Sequence, residues 1–315
     1  MKIVVFVISF SPFFLVAQKI DNMASHRSMG SDKYFRFSYD NDFFTSSDYN
    51  YTQGYSFEFS HPALKNNPIN YLLYTPKNSK KQYGLTVEHI GFTPKSLSQS
   101  EIQFGDRPYA SAIMLKSFLV TIDTIHKFRF VSSLNLGLIG PGAFGKEMQV
   151  EIHRATENVI PQGWHNQVKN DLVFNYEINY EKQLYFNKVF SLQSNSTLRL
   201  GTLFTDASFG FNFTLGGTNN SFTGTKSNKF RVYIFSQPLI NVIGYDATLQ
   251  GGVFNDTSPY TIPAEDIERL VYQINMGVVV KSKKIYFEYF RTNTTKQFTT
   301  GISPKWGGFK MGLKF

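Results

Sequence analysis

The sequence predicts an all-β protein, a transmembrane antiparallel β-barrel of about 12 strands with one short helix near 145–157. Three observations carry that reading. The chain ends on WGGFKMGLKF, in which Phe309, Met311, Leu313 and Phe315 alternate with Lys310, Gly312 and Lys314. A strict two-residue period with one greasy and one polar face is what a barrel wall requires, and a terminal aromatic after such a strand is a feature of bacterial outer-membrane barrels. At 171–181, Leu172, Phe174, Tyr176, Ile178 and Tyr180 take one face and Val173, Asn175, Glu177 and Asn179 the other. Composition agrees: charged residues are 17%, below the ~25% of an ordinary soluble chain, while 32 Phe and 18 Tyr supply more aromatic surface than a soluble core needs.

At the N-terminus, Met1-Lys2 precedes an apolar stretch at 3–16 and then Ala17. One basic residue, a short apolar run and a small residue make residues 1–17 a secretory signal peptide, with cleavage expected after Ala17. The run is too short to span a bilayer as a helix. Residues 18–315 form a single barrel domain, without repeat or linker, and residues 18–31 read as a loose polar leader.

Strand signals follow in order. Phe35, Phe37 and Tyr39 oppose Arg36 and Ser38 across 33–39, and Tyr55, Phe57 and Phe59 alternate with Ser56, Glu58 and Ser60. Further strands are expected at 82–91, 109–121 and 128–139, and after the helix at 171–181, 190–203, 207–216, 228–236, 245–253, 269–280, 283–291 and 306–315. That is one more than 12; bacterial barrels are even-numbered, so 12 is the expectation. Only a closed barrel satisfies every backbone group in lipid without helices.

Net charge is +9, or +8 without the first 17 residues, which contain only Lys2. There is no Lys/Arg block of the nucleic-acid type. A basic chain fits phosphorylated lipid head groups, and equally plain solubility. The absence of Cys excludes disulfides, zinc-thiolate sites and Cys nucleophiles.

The chemistry centres on the helix GKEMQVEIHRATE. Gln149 and His153 sit at i and i+4, one above the other on one face, with Met148 and Ile152 on the neighbouring apolar stripe. An imidazole can take a proton from water near neutral pH, and a neighbouring amide can orient it or stabilise an oxyanion. The G-x-G-x-x-G at Gly140–Gly145 lacks a βαβ context, so its glycines turn the chain from strand into helix. Asp40, Asp42, Thr45 and Asp48 lie within nine residues beside Asn41, an oxygen-rich set that suits a hard cation, although turns are rich in Asp and Asn anyway. Asp106-Arg107 opens a strand; its guanidinium can clamp a phosphate or carboxylate, or pair with Asp106 inside the lumen.

In their order these segments resemble the outer-membrane lipid A 3′-O-deacylase family. The matching stretches are Asn41-Asp42 with Asp48 and Tyr51-Thr52-Gln53-Gly54, Asp106-Arg107-Pro108-Tyr109-Ala110, Leu138-Ile139-Gly140-Pro141, Gln149 with His153, and Pro161-Gln162-Gly163-Trp164-His165-Asn166-Gln167. They span roughly residues 34–175; the rest matches as barrel strands. The resemblance implies a 12-stranded barrel in the outer membrane, working on lipid A of lipopolysaccharide in the outer leaflet with calcium as cofactor. It implies His153 as the base that activates water, Gln149 beside it, and Asn41 and Asp42 as essential polar residues, Asp42 toward the metal. Asp106, Arg107 and Thr52 are implied as substrate contacts. Tyr49-Asn50-Tyr51 stands where that family often has a basic residue after the Asp, so contacts there are expected to differ. Expected partners are lipopolysaccharide and membrane lipids, with no nucleic acid, for a barrel acting as a monomer. The competing expectations are a non-enzymatic pore or structural barrel, and an outer-membrane phospholipase with a Ser nucleophile such as Ser111 or Ser132.

Overall fold

The computed structural model describes residues 21–45, 51–77, 79–217, 221–223 and 229–315; the expected signal peptide and Asp48 lie outside them. Twelve strands form one closed antiparallel barrel: β1 (Tyr34–Asn41), β2 (Gln53–Ser60), β3 (Lys80–Phe92), β4 (Ala110–Asp123), β5 (Phe128–Ile139), β6 (Asp171–Phe186), β7 (Phe190–Gly201), β8 (Phe204–Gly216), β9 (Arg231–Asp246), β10 (Leu270–Lys281), β11 (Ile285–Thr294) and β12 (Lys305–Lys314). Each pairs with its sequence neighbours. β1 closes on β12, with Tyr34 opposite Lys314 and Asn41 opposite Gly307. Helix α1 (Gly145–Ala155) lies between β5 and β6 and ends two residues before the expected boundary. No helix among the described residues is long and apolar enough to cross a membrane.

The period-2 reading decides the two faces. Phe35, Phe57, Leu172, Phe174, Leu198, Phe209, Ile240 and Met311 point outward and are exposed, while Arg36, Glu58, Asn175, Asn195 and Lys310 point inward and are buried. This inverts a soluble core and is the pattern of a lipid-embedded wall. Connections at 61–79, 124–127, 187–189, 217–230 and 282–284 share one end with the start of β1 and with Phe315. Those at 42–52, 93–109, 140–170, 202–203, 247–269 and 295–304 form the other end. Outer-membrane barrels keep short turns on the periplasmic side and longer loops outside, so the second end is the extracellular one.

Two expectations are corrected. Residues 245–253 are not a separate strand: β9 runs unbroken to Asp246, and a single helical turn follows at Ala247–Gln250. The sequence pattern breaks at Pro238, which has no N–H for the ladder. The strand survives because Pro238 keeps its place opposite Ile274 of β10, while pairing to β8 is interrupted between Gly210–Leu239 and Phe213–Ser236. Asn228, where that strand was expected to start, lies outside the described residues.

The second correction concerns the leader. Residues 22–27 and Met29 are buried inside the barrel, and Ser28 is half-buried. Their backbone carbonyls accept hydrogen bonds from lumenal side chains: Arg36 to Asn22 (2.8 Å) and Arg27 (2.8 Å), Lys281 to Ser28 (2.6 Å), Arg129 to Met23 and Tyr233 to His26. Arg27 Nε pairs with Glu288 at 2.8 Å, and Lys310 donates to Asn22 Oδ1 at 2.7 Å. A polar composition read as loose because polar residues usually seek water; here the polar medium is the barrel interior. Ion pairs Arg36–Glu58 (2.7 Å), Lys116–Glu177 (3.6 Å) and Arg199–Asp206 (2.5 Å) occupy the lumen further.

Removing one partner of a buried ion pair leaves a charge uncompensated, at a cost of about 3–5 kcal/mol. Arg27→Ala strands the carboxylate of Glu288. The temperature at which the folded band converts to the unfolded band on a gel should therefore drop clearly, whereas Lys283→Ala on the exposed rim should leave it unchanged.

Candidate active site

Helix α1 lies against the outside of the barrel wall, not over its mouth. Gly140, at φ 105°, turns the chain off β5, and Phe144 (φ 60°) precedes the helix. The ring of His89, on the outward face of β3, then catches the segment: its Nε2 donates to the Ala143 carbonyl at 2.8 Å. The ring itself stacks on Tyr55 of β2, centroids 4.9 Å apart. At Gly145 the helix touches β4 so closely that a Cβ would stand 2.4 Å from Ser111 Cβ and 2.9 Å from the Trp164 ring. Only glycine fits that approach. Glu147 in the first turn and Arg154 in the last complement the helix dipole.

The helix turns Gln149 and His153 toward the protein, at 1% and 6% exposure, and leaves Ile152 exposed at 36%. Gln149 Oε1 accepts from Trp164 Nε1 at 2.6 Å, and Trp164 packs on Tyr109 at the foot of β4. Gln149 Nε2 is buried with no hydrogen-bond partner among the described residues. His153 Nδ1 lies 2.6 Å from the Val159 carbonyl. A carbonyl only accepts, so Nδ1 carries the proton and Nε2 of the neutral ring keeps its lone pair.

The wall beneath is unusual for a lipid-facing surface. Register places Gln53, Gly91 and Ser111 in one outward row across β2, β3 and β4, with His89 two residues further along β3. Gln53, Ser111 and His89 are all buried. Gln53 Nε2 is a second amide donor with no partner among the described residues. Two strand spacings, about 10 Å, separate Gln53 from Ser111 under the helix. Asn41 ends β1 next to this row: its Nδ2 donates to the Thr52 carbonyl and its Oδ1 accepts from Phe43 N at 2.7 Å. Asp42 follows, fully buried, its N–H on the Tyr51 carbonyl at 3.3 Å. Thr52 Oγ1 bonds Thr93 Oγ1 at 2.6 Å.

The structure therefore brings Gln149 and His153 together on one outer face, while Asn41 bonds Thr52 and Asp42 bonds Tyr51 at the β1–β2 edge of the outward row. Asp106 and Arg107 stand elsewhere. Arg107 lies over the Phe92 ring at 4.1 Å and reaches inward, donating to Gln297 (2.9 Å) and Thr248 (2.9 Å) on two other extracellular loops. Burial lowers its guanidinium to about 10, with Asp246 and Asp106 acting in the opposite direction, so it stays charged at neutral pH. The Asp106 carboxylate accepts from the backbone N–H of Lys95 and of Arg107, both at 2.7 Å. These two tie loops across the lumen mouth. A small cavity of about 20 Å³ opens there, lined by Arg199, Asp206, Asp246 and Gln297, but its Arg199–Asp206 charges are already paired.

Sequence reasoning missed Trp164, Gln53 and His89 as parts of the site. Gln53 and His89 had a signal: polar side chains at outward positions of a barrel strand. For calcium, the donor chemistry fits in kind, a buried carboxylate with amide and backbone oxygens nearby. Among the described residues no three His, Asp or Glu gather there, so an ion would rest on one carboxylate with amide and backbone oxygens completing the set.

Fold and site together define an outer-membrane β-barrel that carries a polar, histidine-bearing site on its outer wall beneath a helix. A family model described as outer membrane protein LpxR matches residues 3–315, and the chain belongs to that family. Among solved structures, LpxR from Salmonella typhimurium is similar at 17% identity and TM-score 0.73, over 90% of this chain and 100% of that one. The β domain of the Bordetella autotransporter BrkA matches at 6% identity and TM-score 0.48, over 90% of this chain and 98% of that one. No curated protein matches the sequence.

Trp164→Phe removes the donor to Gln149 Oε1 and leaves that oxygen buried and unpaired, a penalty of about 1–3 kcal/mol. Amide hydrogen exchange should accelerate across 145–155 while β7–β10 keep wild-type protection. Unchanged exchange in α1 would show that the bond does not hold the helix.

Proposed function

We propose that the chain is a calcium-dependent lipid A deacylase that hydrolyses the ester of the 3′-O-linked acyloxyacyl group in the outer leaflet, with His153 as general base. The observation that carries this reading is the His153 ring, its proton fixed on Nδ1 by the Val159 carbonyl, beside the unpartnered amide donor of Gln149 on the lipid-facing side of the wall. A lipid substrate reaches that face without entering the lumen. Family membership and an outer-membrane barrel support lipid A as the substrate class.

On this reading His153 Nε2 removes a proton from water as the oxygen attacks the ester carbonyl. Gln149 Nε2–H meets the negative charge that develops on the carbonyl oxygen. Collapse of the tetrahedral adduct breaks the C–O bond to the sugar, and the imidazolium returns its proton to the departing sugar oxygen. The products are a free acid and a sugar hydroxyl. Asp42, with oxygens around Asn41, would hold calcium, which when bound supplies positive charge near the ester oxygen. Asn41 is set by its bond to Thr52, whose contact with substrate belongs to the same rim. Asp106 and Arg107 contribute by fixing loop positions. The protein acts as a monomer.

A Ser-dependent phospholipase is less well supported. Ser111 Oγ bonds the Gly140 carbonyl (3.3 Å) and Ser132 Oγ the Tyr74 carbonyl (2.8 Å), and among the described residues no Ser hydroxyl bonds a His ring. The pore reading is disfavoured by the segment at 22–29 inside the lumen.

Mass spectrometry of lipid A incubated with the purified protein tests the proposal. With calcium the product should lack one acyloxyacyl mass; with chelator it should not. His153→Ala should slow the reaction at least about 10²-fold while keeping heat-modifiable gel mobility. A folded His153→Ala barrel that cleaves at the wild-type rate would remove His153 from the mechanism. Unchanged lipid A with a folded wild-type barrel and calcium would overturn the activity itself.

A further inference from the structure

Charge is divided along the barrel axis. The five connections at the end where β1 begins and β12 ends contain eight lysines and no Asp or Glu; the six at the opposite end contain seven Lys and Arg against eleven Asp and Glu. The positive excess therefore does not lie on the side of His153. It forms a collar around the periplasmic rim. Lys65, Lys77, Lys188, Lys229, Lys283 and Lys284 are exposed and come from four different connections spread round the circumference.

Exposed apolar and aromatic side chains accompany the collar. Tyr71 is 92% exposed and Ile125 82%, and Tyr74, Phe230 and Phe315 are also exposed. Tyr71 and Tyr74 belong to a segment, 62–75, that straps the outside of the wall. Leu73 packs on Leu119 and Leu134, Asn67 Nδ2 donates to Ser117 Oγ at 3.1 Å, and Tyr176 OH donates to the Leu72 carbonyl at 3.0 Å. All these wall positions face outward, so the strap holds its aromatics on the side that faces lipid. Aromatic rings with lysines just beyond them match the layering of a membrane interface, apolar matter below and head groups above.

We propose that this collar docks on anionic phospholipid head groups of the periplasmic leaflet, its lysines on the phosphodiesters and Tyr71 and Tyr74 at the acyl boundary. The charge complementarity is specific to one leaflet. Lysines that outnumber the two carboxylates at this rim, Asp32 and Asp123 (the latter bonded to His126), attract an anionic surface, each by roughly a fivefold factor in affinity, and do so only within a Debye length. The collar sits at the opposite end from the proposed deacylation site and is independent of it.

The test uses the folded full-length barrel in detergent with equal phosphatidylglycerol and phosphatidylcholine, stripped by detergent exchange, with retained lipid counted by mass spectrometry. Wild type should retain phosphatidylglycerol at least about fivefold over phosphatidylcholine. That preference should fall toward parity in 0.5 M NaCl and in the variant Lys65→Gln, Lys77→Gln, Lys283→Gln, Lys284→Gln. It should persist in the control Lys95→Gln, Lys146→Gln, Lys169→Gln, Lys296→Gln at the other end. Parity in wild type would overturn the proposal. So would a preference that survives the collar variant, or one lost equally in the control. If the collar variant does not fold, the salt arm decides: an undiminished preference in 0.5 M NaCl sinks the idea.

Discussion

Lipid offers no hydrogen bonds, so a polar side chain on the outer face of a barrel must be covered or it costs free energy. This constraint organises the molecule. Gln53, His89 and Ser111 point outward from β2, β3 and β4, and each is buried because the segment from Pro141 to Ala155 lies over them. The cover and the covered surface hold one another through the His89 bond to Ala143 and the contact of Gly145 with Ser111. What results is a covered polar layer between helix and wall, on the leaflet side rather than the lumen side. The amide donors of Gln53 and Gln149, without a partner among the described residues, lie in that layer. Buried donors left unmade are expensive in a structure with no use for them, and useful where charge develops on a bound oxygen.

The interior follows the opposite logic. The lumen is where this chain keeps its charges, and they neutralise one another or meet the carbonyls of residues 22–29. A filled lumen makes the wall rigid. Rigidity lets an eleven-residue helix, too short to be stable alone, hold His153 in a fixed tautomer. Arg107 and Asp106 belong to this inner system: they pull three extracellular loops together above the mouth. The division of inside and outside also separates two sets of residues that sequence order alone places in one family of motifs.

Much of this was legible from period and spacing. Alternation placed Phe35, Phe57, Leu172 and Met311 outward because a strand leaves no other choice, and i, i+4 spacing placed Gln149 over His153. Pro238 misled, because the loss of one donor can be absorbed on one side of a strand that stays paired on the other. The leader at 22–29 misled because composition reports polarity but not which polar medium receives it. The positive charge read as scattered in sequence, since barrel connections gather residues that are far apart in the chain. The bond that fixes the His153 tautomer was not legible at all: Val159 reaches back from a loop after the helix, and nothing in its side chain announces a carbonyl's role.

The central claim is that chemistry happens on the outer wall under α1 and not in the lumen. A crystal structure of the His153→Ala protein with intact lipid A tests it directly. An ester group should lie between residue 153 and Gln149, with acyl chains running down the outside of β2–β4. Lipid A density inside the lumen mouth, against Arg107 and the Arg199–Asp206 pair, would contradict it.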